Sequence, residues 1–343
     1  MVIYLPKYIV KRIAYIVLVF FITSFLMYGL FSLIPSDPAR AQLEPLKTTL
    51  KPDVYQARYE ELREQMGLND PIVVRYARWI GFAPDKQTGE FDGVLQGNFG
   101  YSMMRQKDCT EVIKAPMGNT IMFNIFATIL TLAITIPVGI WCAVHKGSTL
   151  DQGIQAFTIL GYSLPQYIIA LIFIFIFAVL LRWFPVGGAA TPGSMYTGLR
   201  EFGDRMYHMA LPIIVSVFGA LGGMSRYVRA SMIDALSMDC IRTARAKGVK
   251  ERVVIYSHAW RNALLPVITS IIGWFLSVFS GSLVLENVFS LNGMGSLYIK
   301  ALNGNDAELC LAIQMFYTVV SLLGNLITDL AYGFVDPRIR VNK

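Results

Sequence analysis

Charged residues are scarce in this chain and are confined to a few segments. Only 15% of the 343 residues are Asp, Glu, Lys or Arg, whereas 55% are hydrophobic. A soluble domain carries about a quarter charged residues. Long windows of the sequence contain no charge at all. This distribution excludes an ordinary soluble domain and is typical of a protein that crosses a membrane several times.

Residues for metal, redox or catalytic chemistry are few as well. The three histidines are far apart, and no Gly-Lys dipeptide is present, so a nucleotide-binding P-loop is excluded. No two cysteines are spaced as CxxC, which argues against a metal or redox site; a disulfide between Cys109 and Cys310 stays open. We expect no catalytic residues, no metal and no enzyme activity in this chain. The four cysteines are Cys109, Cys142, Cys240 and Cys310.

The basic balance of the chain, +7 at neutral pH, does not indicate nucleic acid. The lysines and arginines form no stripe with interleaved aromatic residues, which a nucleic-acid surface would need. They cluster instead in the connections between apolar stretches, where basic residues orient membrane proteins and contact anionic headgroups. Membrane lipid is the predicted environment of this chain.

Six stretches without charge are long enough to cross a bilayer. A helix needs about 20 apolar residues to span a hydrocarbon layer of about 30 Å, and barrel strands would be shorter and alternating. The fourth stretch is the weakest, because it contains His208, Pro212 and several glycines. The sequence predicts an all-α membrane protein with about six transmembrane helices. The stretches are 13–36, 115–145, 152–181, 206–225, 262–285 and 309–328, the last continuing to about 335.

Basic residues predict that both ends of the chain face the cytoplasm. The short segments on one predicted side hold fifteen lysines and arginines, and those on the other side hold four; the basic side is cytoplasmic. Ala39-Arg40-Ala41 resembles a signal-peptide cleavage site, but the preceding apolar run exceeds the 7–15 residues of such signals. We therefore expect an uncleaved first helix and an even number of spans.

The segment 37–114 is predicted to be a solvated extracytoplasmic cap. Residues 53–66 form a predicted helix that Gly67 ends. Asp70 and Pro71 are then expected as the N-cap and first residue of a second helix through Ile80. A polar loop, Ala83–Gly93, follows. The predicted organisation is 1–36 for the N-terminus and first helix, 37–114 for the cap, 115–335 for a five-helix core and 336–343 for a cytoplasmic tail.

The predicted cytoplasmic loop 226–261 carries eight basic and three acidic residues. Within it, Asp239 is expected to cap a short helix, and Gly248 to end it in a left-handed conformation. Ile241, Ala244 and Gly248 would share one face, where small residues let another protein's backbone approach closely. An ordinary basic loop that only obeys the positive-inside rule explains the charges equally well.

A polar stripe runs along the last span. Asn325, Asp329, Tyr332 and Asp336 are spaced 4, 3 and 4 residues apart, so they lie on one helical face. An acidic group in a span can serve a proton pathway. We favour a structural Asp329 near the cytoplasmic end that pairs with a basic loop residue.

Several motifs occur together in a characteristic order along the chain. The strongest stretch runs from Tyr227-Val-Arg-Ala-Ser-Met through Arg242-Thr-Ala-Arg-Ala-Lys-Gly248 to His258-Ala-Trp-Arg-Asn-Ala-Leu-Leu-Pro266. The other stretches are Leu62-Arg-Glu-Gln-Met-Gly-Leu-Asn-Asp-Pro71, Gly97-Asn-Phe-Gly-Tyr-Ser102, Ser163-Leu-Pro165, Phe184-Pro-Val-Gly-Gly188, Glu286-Asn-Val-Phe-Ser290, Gly293-Met-Gly295 and Asp336-Pro-Arg-Ile-Arg340. With these motifs the chain resembles the B-type membrane subunit of oligopeptide and dipeptide ABC importers over nearly its full length. The strongest stretch resembles the family's cytoplasmic "EAA" loop, which in such importers docks a coupling helix into the ATPase subunit.

Two features depart from the family pattern. Asn292 stands where the family often has proline, and the Ala83–Gly93 loop is longer than usual. Both lie outside the predicted membrane core, so they put the choice of solute in doubt rather than the architecture.

The resemblance implies a type I ABC importer transmembrane domain in a bacterial or archaeal cell membrane. The implied partners are a paralogous second permease subunit, two ATPase subunits that hold ATP and Mg²⁺, and an extracytoplasmic solute-binding protein. Peptide is the implied solute; oligosaccharide or nickel uptake by the same architecture, and a proton- or sodium-coupled secondary transporter, stay as alternatives. The implied coupling residues are Asp239, Ile241, Arg242, Thr243, Ala244, Arg245, Ala246, Lys247 and Gly248. The family-motif positions are Arg261, Asn262, Pro266, Glu286, Gly293, Gly295, Asp329, Asp336, Pro337 and Arg338.

Overall fold

The chain is mostly helical in the computed structural model, which describes residues 4–33 and 37–335. It forms two compact units, one of Met1–Pro116 with Leu297–Leu322 and one of Met117–Ser296 with Leu323–Lys343. The helices in chain order are α1 Tyr4–Phe31, α2 Pro38–Leu43, α3 Pro52–Gln65, α4 Ile72–Ile80, α5 Cys109–Val144, α6 Thr149–Ser163, α7 Gln166–Phe173, α8 Gly198–Leu236, α9 Asp239–Ala246, α10 Glu251–Val253, α11 Trp260–Leu276, α12 Leu283–Val288, α13 Met294–Asn303 and α14 Ala307–Val335.

Shorter elements join these helices. Two strands, β1 Tyr101–Ser102 and β2 Lys107–Asp108, pair antiparallel. Short 3₁₀ turns cover Glu44–Leu46, Val94–Gln96 and Ser277–Phe279, and π-helical turns cover Ile174–Leu180 and Val254–Ala259.

The predicted number of membrane spans is confirmed. Five helical stretches among the described residues are long and apolar enough to cross a bilayer, and a sixth arises if α6 and α7 with its π-helical continuation count as one broken span. The five are Val10–Phe31, Cys109–Val144, Gly198–Leu236, Glu251–Val288 and Ala307–Asp329.

The third predicted span is one continuous apolar stretch in the sequence, but in the structure it is a broken helix. Its two halves meet at an angle of 103°, and Leu164 at the junction has an extended backbone. Proline lacks the N–H that a helix needs and disfavours helical angles at the residue before it. Pro165 therefore accounts for the break.

The fourth span, weakest by composition, is the longest helix of the second unit. Helix α8 runs for 39 residues with Pro212 inside it, and more than half of its most apolar stretch is buried. Small residues make this burial possible. A side-chain carbon on Gly222 would lie 2.4 Å from the Thr158 carbonyl oxygen of α6, so α6 and α8 approach at backbone contact.

The fifth span is interrupted between α11 and α12, which the sequence did not predict. A 3₁₀ turn ends α11, and residues 280–282 are not helical. The Asn124 side-chain amide of α5 donates to the carbonyl oxygens of Val278 and Ser280 at 2.9 and 2.8 Å. Backbone groups at membrane depth need such partners, because hydrocarbon offers none.

In the first unit, helix α3 agrees with its predicted bounds within one residue, and Gly67 has the expected left-handed φ of 64°. The expectation for α4 was wrong: Pro71 is the N-cap and the helix starts at Ile72. The Asp70 carboxylate instead forms an ion pair with Arg78, whose Nη2 lies 2.6 Å away. The Arg78 guanidinium holds the pKa of the Asp70 carboxyl below its usual range.

All four cysteines are free thiols, so Cys109 and Cys310 are not joined in a disulfide. Three of them are buried, and Cys240 is exposed.

Two adjacent glycines of α8 provide a test of the close approach to α6. Gly222→Ala should lower the free energy of unfolding by about 1–3 kcal/mol, since the new carbon must force the helices apart. Gly223→Ala meets no atom within 4 Å and should be neutral or stabilising by up to about 1 kcal/mol, because alanine favours a helix. Thermal unfolding of both variants in detergent measures the difference. Equal melting temperatures would contradict the packing.

Candidate functional site

The candidate site is centred on helix α9, which lies within the predicted cytoplasmic loop. Met238 is its N-cap, with extended backbone angles and no capping side chain. The expectation that Asp239 caps the helix was therefore wrong; Asp239 is its first residue. Lys247 ends the helix and Gly248 has a φ of 73°, so the predicted left-handed stop at Gly248 is confirmed.

The apolar face of α9 is already covered by this chain's own core. Ile241 is 0% exposed and Ala244 is 8% exposed. Both belong to an apolar cluster with residues of α8, of the π-helical turn Val254–Ala259 and of α11. Gly248 is exposed instead. The prediction that this face contacts another protein was therefore wrong. A helix of eight residues is not stable alone, and burial of this face within its own chain holds it in place.

The opposite face of α9 is polar and exposed. Arg245 Nη2 and Nε bond to the two carboxylate oxygens of Glu251 at 2.6 and 3.2 Å. Arg242 Nη1 lies 3.5 Å from the Asp239 carboxylate, and the Thr243 hydroxyl donates to the Asp239 carbonyl oxygen at 2.9 Å. The other exposed residues of the predicted coupling set are Ala246, Lys247 and Gly248.

A partly buried ion pair joins α8 to the start of α6, with the Arg229 side chain 23% exposed. Arg229 Nε and Nη2 donate to Asp151 Oδ1 and Oδ2 at 2.8 and 2.7 Å, and Asp151 is 1% exposed. The Gly147 N–H donates to the same carboxylate at 2.9 Å. The Ser148 hydroxyl caps α6 by accepting from the Asp151 N–H at 3.1 Å. This pair was not predicted from the sequence. Ser148 followed by Asp151 does signal the start of a helix, but nothing nearby in the sequence indicates Arg229 as the partner.

The motif positions of α11 lie beside α9. Arg261 is exposed, the Asn262 amide donates to the His258 carbonyl oxygen at 2.9 Å, and the Pro266 carbonyl oxygen accepts from the Tyr227 hydroxyl of α8 at 3.1 Å. A half-open groove of about 460 Å³ runs between α8 and α11. Its lining includes Tyr227, Asp234, Met238, Asn262, Leu265 and Pro266.

A second group of motif positions converges on the buried carboxylate of Glu286. It accepts from the Thr120 hydroxyl of α5 at 2.7 Å and from the N–H groups of Gly295 and Ser296 at 2.6 and 3.1 Å. It also accepts from the Ser282 N–H at 3.3 Å. One carboxylate therefore bonds to the N–H of the N-cap residue of α12 and to two of the first N–H groups of α13, which a helix start leaves without partners.

The two motif glycines make room for this carboxylate. A side-chain carbon on Gly293 would lie 2.4 Å from Glu286 Cδ, and one on Gly295 would lie 3.0 Å from Glu286 Oε2. The structure thus brings three predicted motif positions together. Thr120, the partner on α5, gave no sequence signal.

The remaining predicted positions belong to α14 and to the residues that follow it in the sequence. Asp329 is half-buried on α14, and Asp336, Pro337 and Arg338 lie outside the described residues. Across residues 4–33 and 37–335, no three potential metal ligands converge.

Comparison with known proteins agrees with this arrangement. Residues 135–341 match the family described as binding-protein-dependent transport system inner membrane component, and residues 5–124 match the N-terminal model of such membrane components. The chain belongs to this family. The match confirms the family that the sequence motifs indicated. Members of this family are inner-membrane components, and this permease is therefore a multi-pass membrane protein.

Relatives of this permease match it over almost their whole length. It is 35% identical over 337 residues to the oligopeptide transport system permease protein AppB of Bacillus subtilis (strain 168), covering 98% of this chain and 99% of that one. It is 34% identical over 319 residues to a protein of Brucella suis biovar 1 (strain 1330) named as a peptide permease, covering 93% and 94%.

A solved structure confirms the fold class. A chain of the MetNI methionine ABC transporter, solved in inward facing conformations, superposes with a TM-score of 0.54 at 15% identity, covering 66% of this permease and 97% of that chain. The permease therefore has the fold of a type I ABC importer membrane domain.

The ion pair between α6 and α8 predicts a measurable effect of a small change. Asp151→Asn should lower the free energy of unfolding by about 1.5–3 kcal/mol, because Arg229 loses its hydrogen bonds to a charged, buried carboxylate. Glu111→Gln serves as the control, because it also removes the carboxylate of an ion pair, but the pair of Lys107 with Glu111 is more than half exposed. This change should alter the free energy of unfolding by less than about 1 kcal/mol. Denaturant unfolding in detergent compares the two, and equal losses would contradict the structural weight given to Asp151.

Proposed function

We propose that this chain is the pore-forming permease subunit of an ATP-driven importer of peptides. The observation that carries the proposal is helix α9, which is held by its own chain on one face and presents a polar face with three basic residues to the surroundings. Two relatives with near-complete coverage are named as an oligopeptide and a peptide permease, which supports peptide as the solute.

The energy source lies on other subunits in this proposal. The sequence contains no P-loop, so two partner ATPase subunits bind ATP and Mg²⁺. A paralogous permease subunit completes the pore, and a solute-binding protein delivers the peptide outside. Both termini face the cytoplasm, as the excess of basic residues on that side supports. ATP biases the equilibrium between two conformations, which is alternating access.

Helix α9 transmits the motion through its buried face. The exposed side, with Arg242 and Ala246, contacts the ATPase subunit, and the buried side shares one apolar cluster with α8 and α11. Packed interiors transmit displacement because they have few voids. A displacement of α9 therefore moves α8, and the ion pair of Arg229 with Asp151 carries it to α6.

Two alanines of α9 separate docking from folding. Ala246→Trp, on the exposed face, should leave the melting temperature of the permease unchanged but lower peptide uptake about tenfold or more, since overpacking a close contact costs about 1–3 kcal/mol. Ala244→Trp, on the buried face, should instead destabilise the permease itself by a similar amount. Uptake and ATP hydrolysis are measured in vesicles that contain all subunits, and melting in the isolated permease.

Normal ATP-driven uptake by Ala246→Trp would remove the proposed contact. Uptake that follows a proton or sodium gradient without ATP, and that Asp329→Asn abolishes, would replace the importer with a secondary transporter. Competition by oligosaccharide or Ni²⁺ but not by peptide would change the solute and leave the architecture in place.

A further inference from the structure

Helix α4 packs against α1 within the apolar span of α1. The Tyr76 hydroxyl of α4 lies 2.7 Å from the hydroxyl of Ser24, and Ser24 is wholly buried. The Tyr76 ring meets the Phe25 ring edge-on at a centroid distance of 5.1 Å. Both partners belong to the span Val10–Phe31.

Further aromatic pairs extend this contact along α1. Trp79 lies 5.2 Å from Tyr28, and Phe82, just after α4, lies 5.4 Å from Phe21, measured between ring centroids. At the other end of α4, Ile72 Cδ1 lies 4.0 Å from the position of a side-chain carbon on Gly29. The aromatic side chains of α4 and of the residue after it are thus distributed over several turns of α1.

These contacts fix how deep α4 lies. Ser24 and Phe21 precede the end of the span, Phe31, by about 10 and 15 Å at a rise of 1.5 Å per residue. A leaflet of the hydrocarbon core is about 15 Å thick. A helix that touches α1 over this interval lies below the membrane surface rather than above it in water.

The surface that α4 presents suits that depth. Ile72, Val73 and Val74 are exposed in succession, with Val73 at 61%, and Phe82 is exposed as well. Branched aliphatic side chains in a row would be costly in water. The cationic side chains of α4 are not left without partners: Arg78 forms an ion pair with Asp70, and Arg75 lies beside the Tyr28 hydroxyl of α1.

We propose that α4 is a lipid-contacting helix, immersed in the leaflet at the C-terminal end of α1, and that its aliphatic surface binds phospholipid acyl chains. This surface continues the lipid-facing side of α1, where Leu18, Ile22 and Leu26 are exposed. The solvated part of segment 37–114 then includes α3, which has no buried residue and a polar composition, but not α4.

Two valines test the depth directly. Val73 of α4 and Val54 of α3 are 61% and 48% exposed, so they differ in predicted surroundings and little in exposure. Each is changed to cysteine in a chain carrying Cys240→Ser, spin-labelled and reconstituted in phosphatidylcholine vesicles. The label at Val73→Cys should collide several-fold more with oxygen than with a water-soluble nickel chelate, and the label at Val54→Cys should show the reverse.

A charge introduced at the same positions gives an independent readout. Val73→Asp should lower the melting temperature of the permease in nanodiscs, because a carboxylate is costly in hydrocarbon, whereas Val54→Asp should leave it unchanged. Nickel accessibility at position 73 equal to that at position 54, or equal effects of the two aspartates, would overturn the proposal. Neither measurement needs partner subunits or transport, so the result does not depend on the proposed function.

Discussion

Eight residues are too few to hold an α-helix in water, so helix α9 persists because the rest of the second unit covers its apolar face. Ile241 and Ala244 are buried among residues of α8, the π-helical turn and α11. The same contact fixes which side chains are left outside, and these include the cationic Arg242, Arg245 and Lys247. Any partner that binds α9 must therefore meet the polar face and, through the buried one, act on α8 and α11 together.

The interruptions of the spans obey a related constraint, since hydrocarbon cannot satisfy a freed backbone group. The break after α11 is satisfied by the amide of Asn124, and the starts of α12 and α13 are satisfied by the carboxylate of Glu286. Both solutions use polar side chains within apolar surroundings. They hold irregular backbone in one conformation without water, so the interrupted span is compatible with a membrane.

Much of this arrangement follows from local signals. The six apolar stretches, the left-handed stops at Gly67 and Gly248 and the family motifs were readable because each depends on neighbours in the chain. The face of α9 was predicted wrongly, since whether Ala244 meets its own core or a partner is decided by residues far along the sequence. The same holds for Arg229 with Asp151, for Thr120 with Glu286 and for the proposed immersion of α4, which depends on its packing against α1. The composition of α8 made it the weakest predicted span because of its glycines. In the structure Gly222 is what allows α8 to pack closely against α6.

The central claim is that α9 is a fixed part of the permease core before any partner binds. Hydrogen–deuterium exchange on the isolated permease in nanodiscs tests it, with the peptide covering 239–248 compared with the exposed loop 83–93. The account predicts that the amides of α9 stay protected on the timescale of the adjacent end of α8, long after the loop has exchanged. Exchange of α9 as fast as that of the loop would contradict it, because the helix would then form only on a partner and could not hold α8 and α11 beforehand.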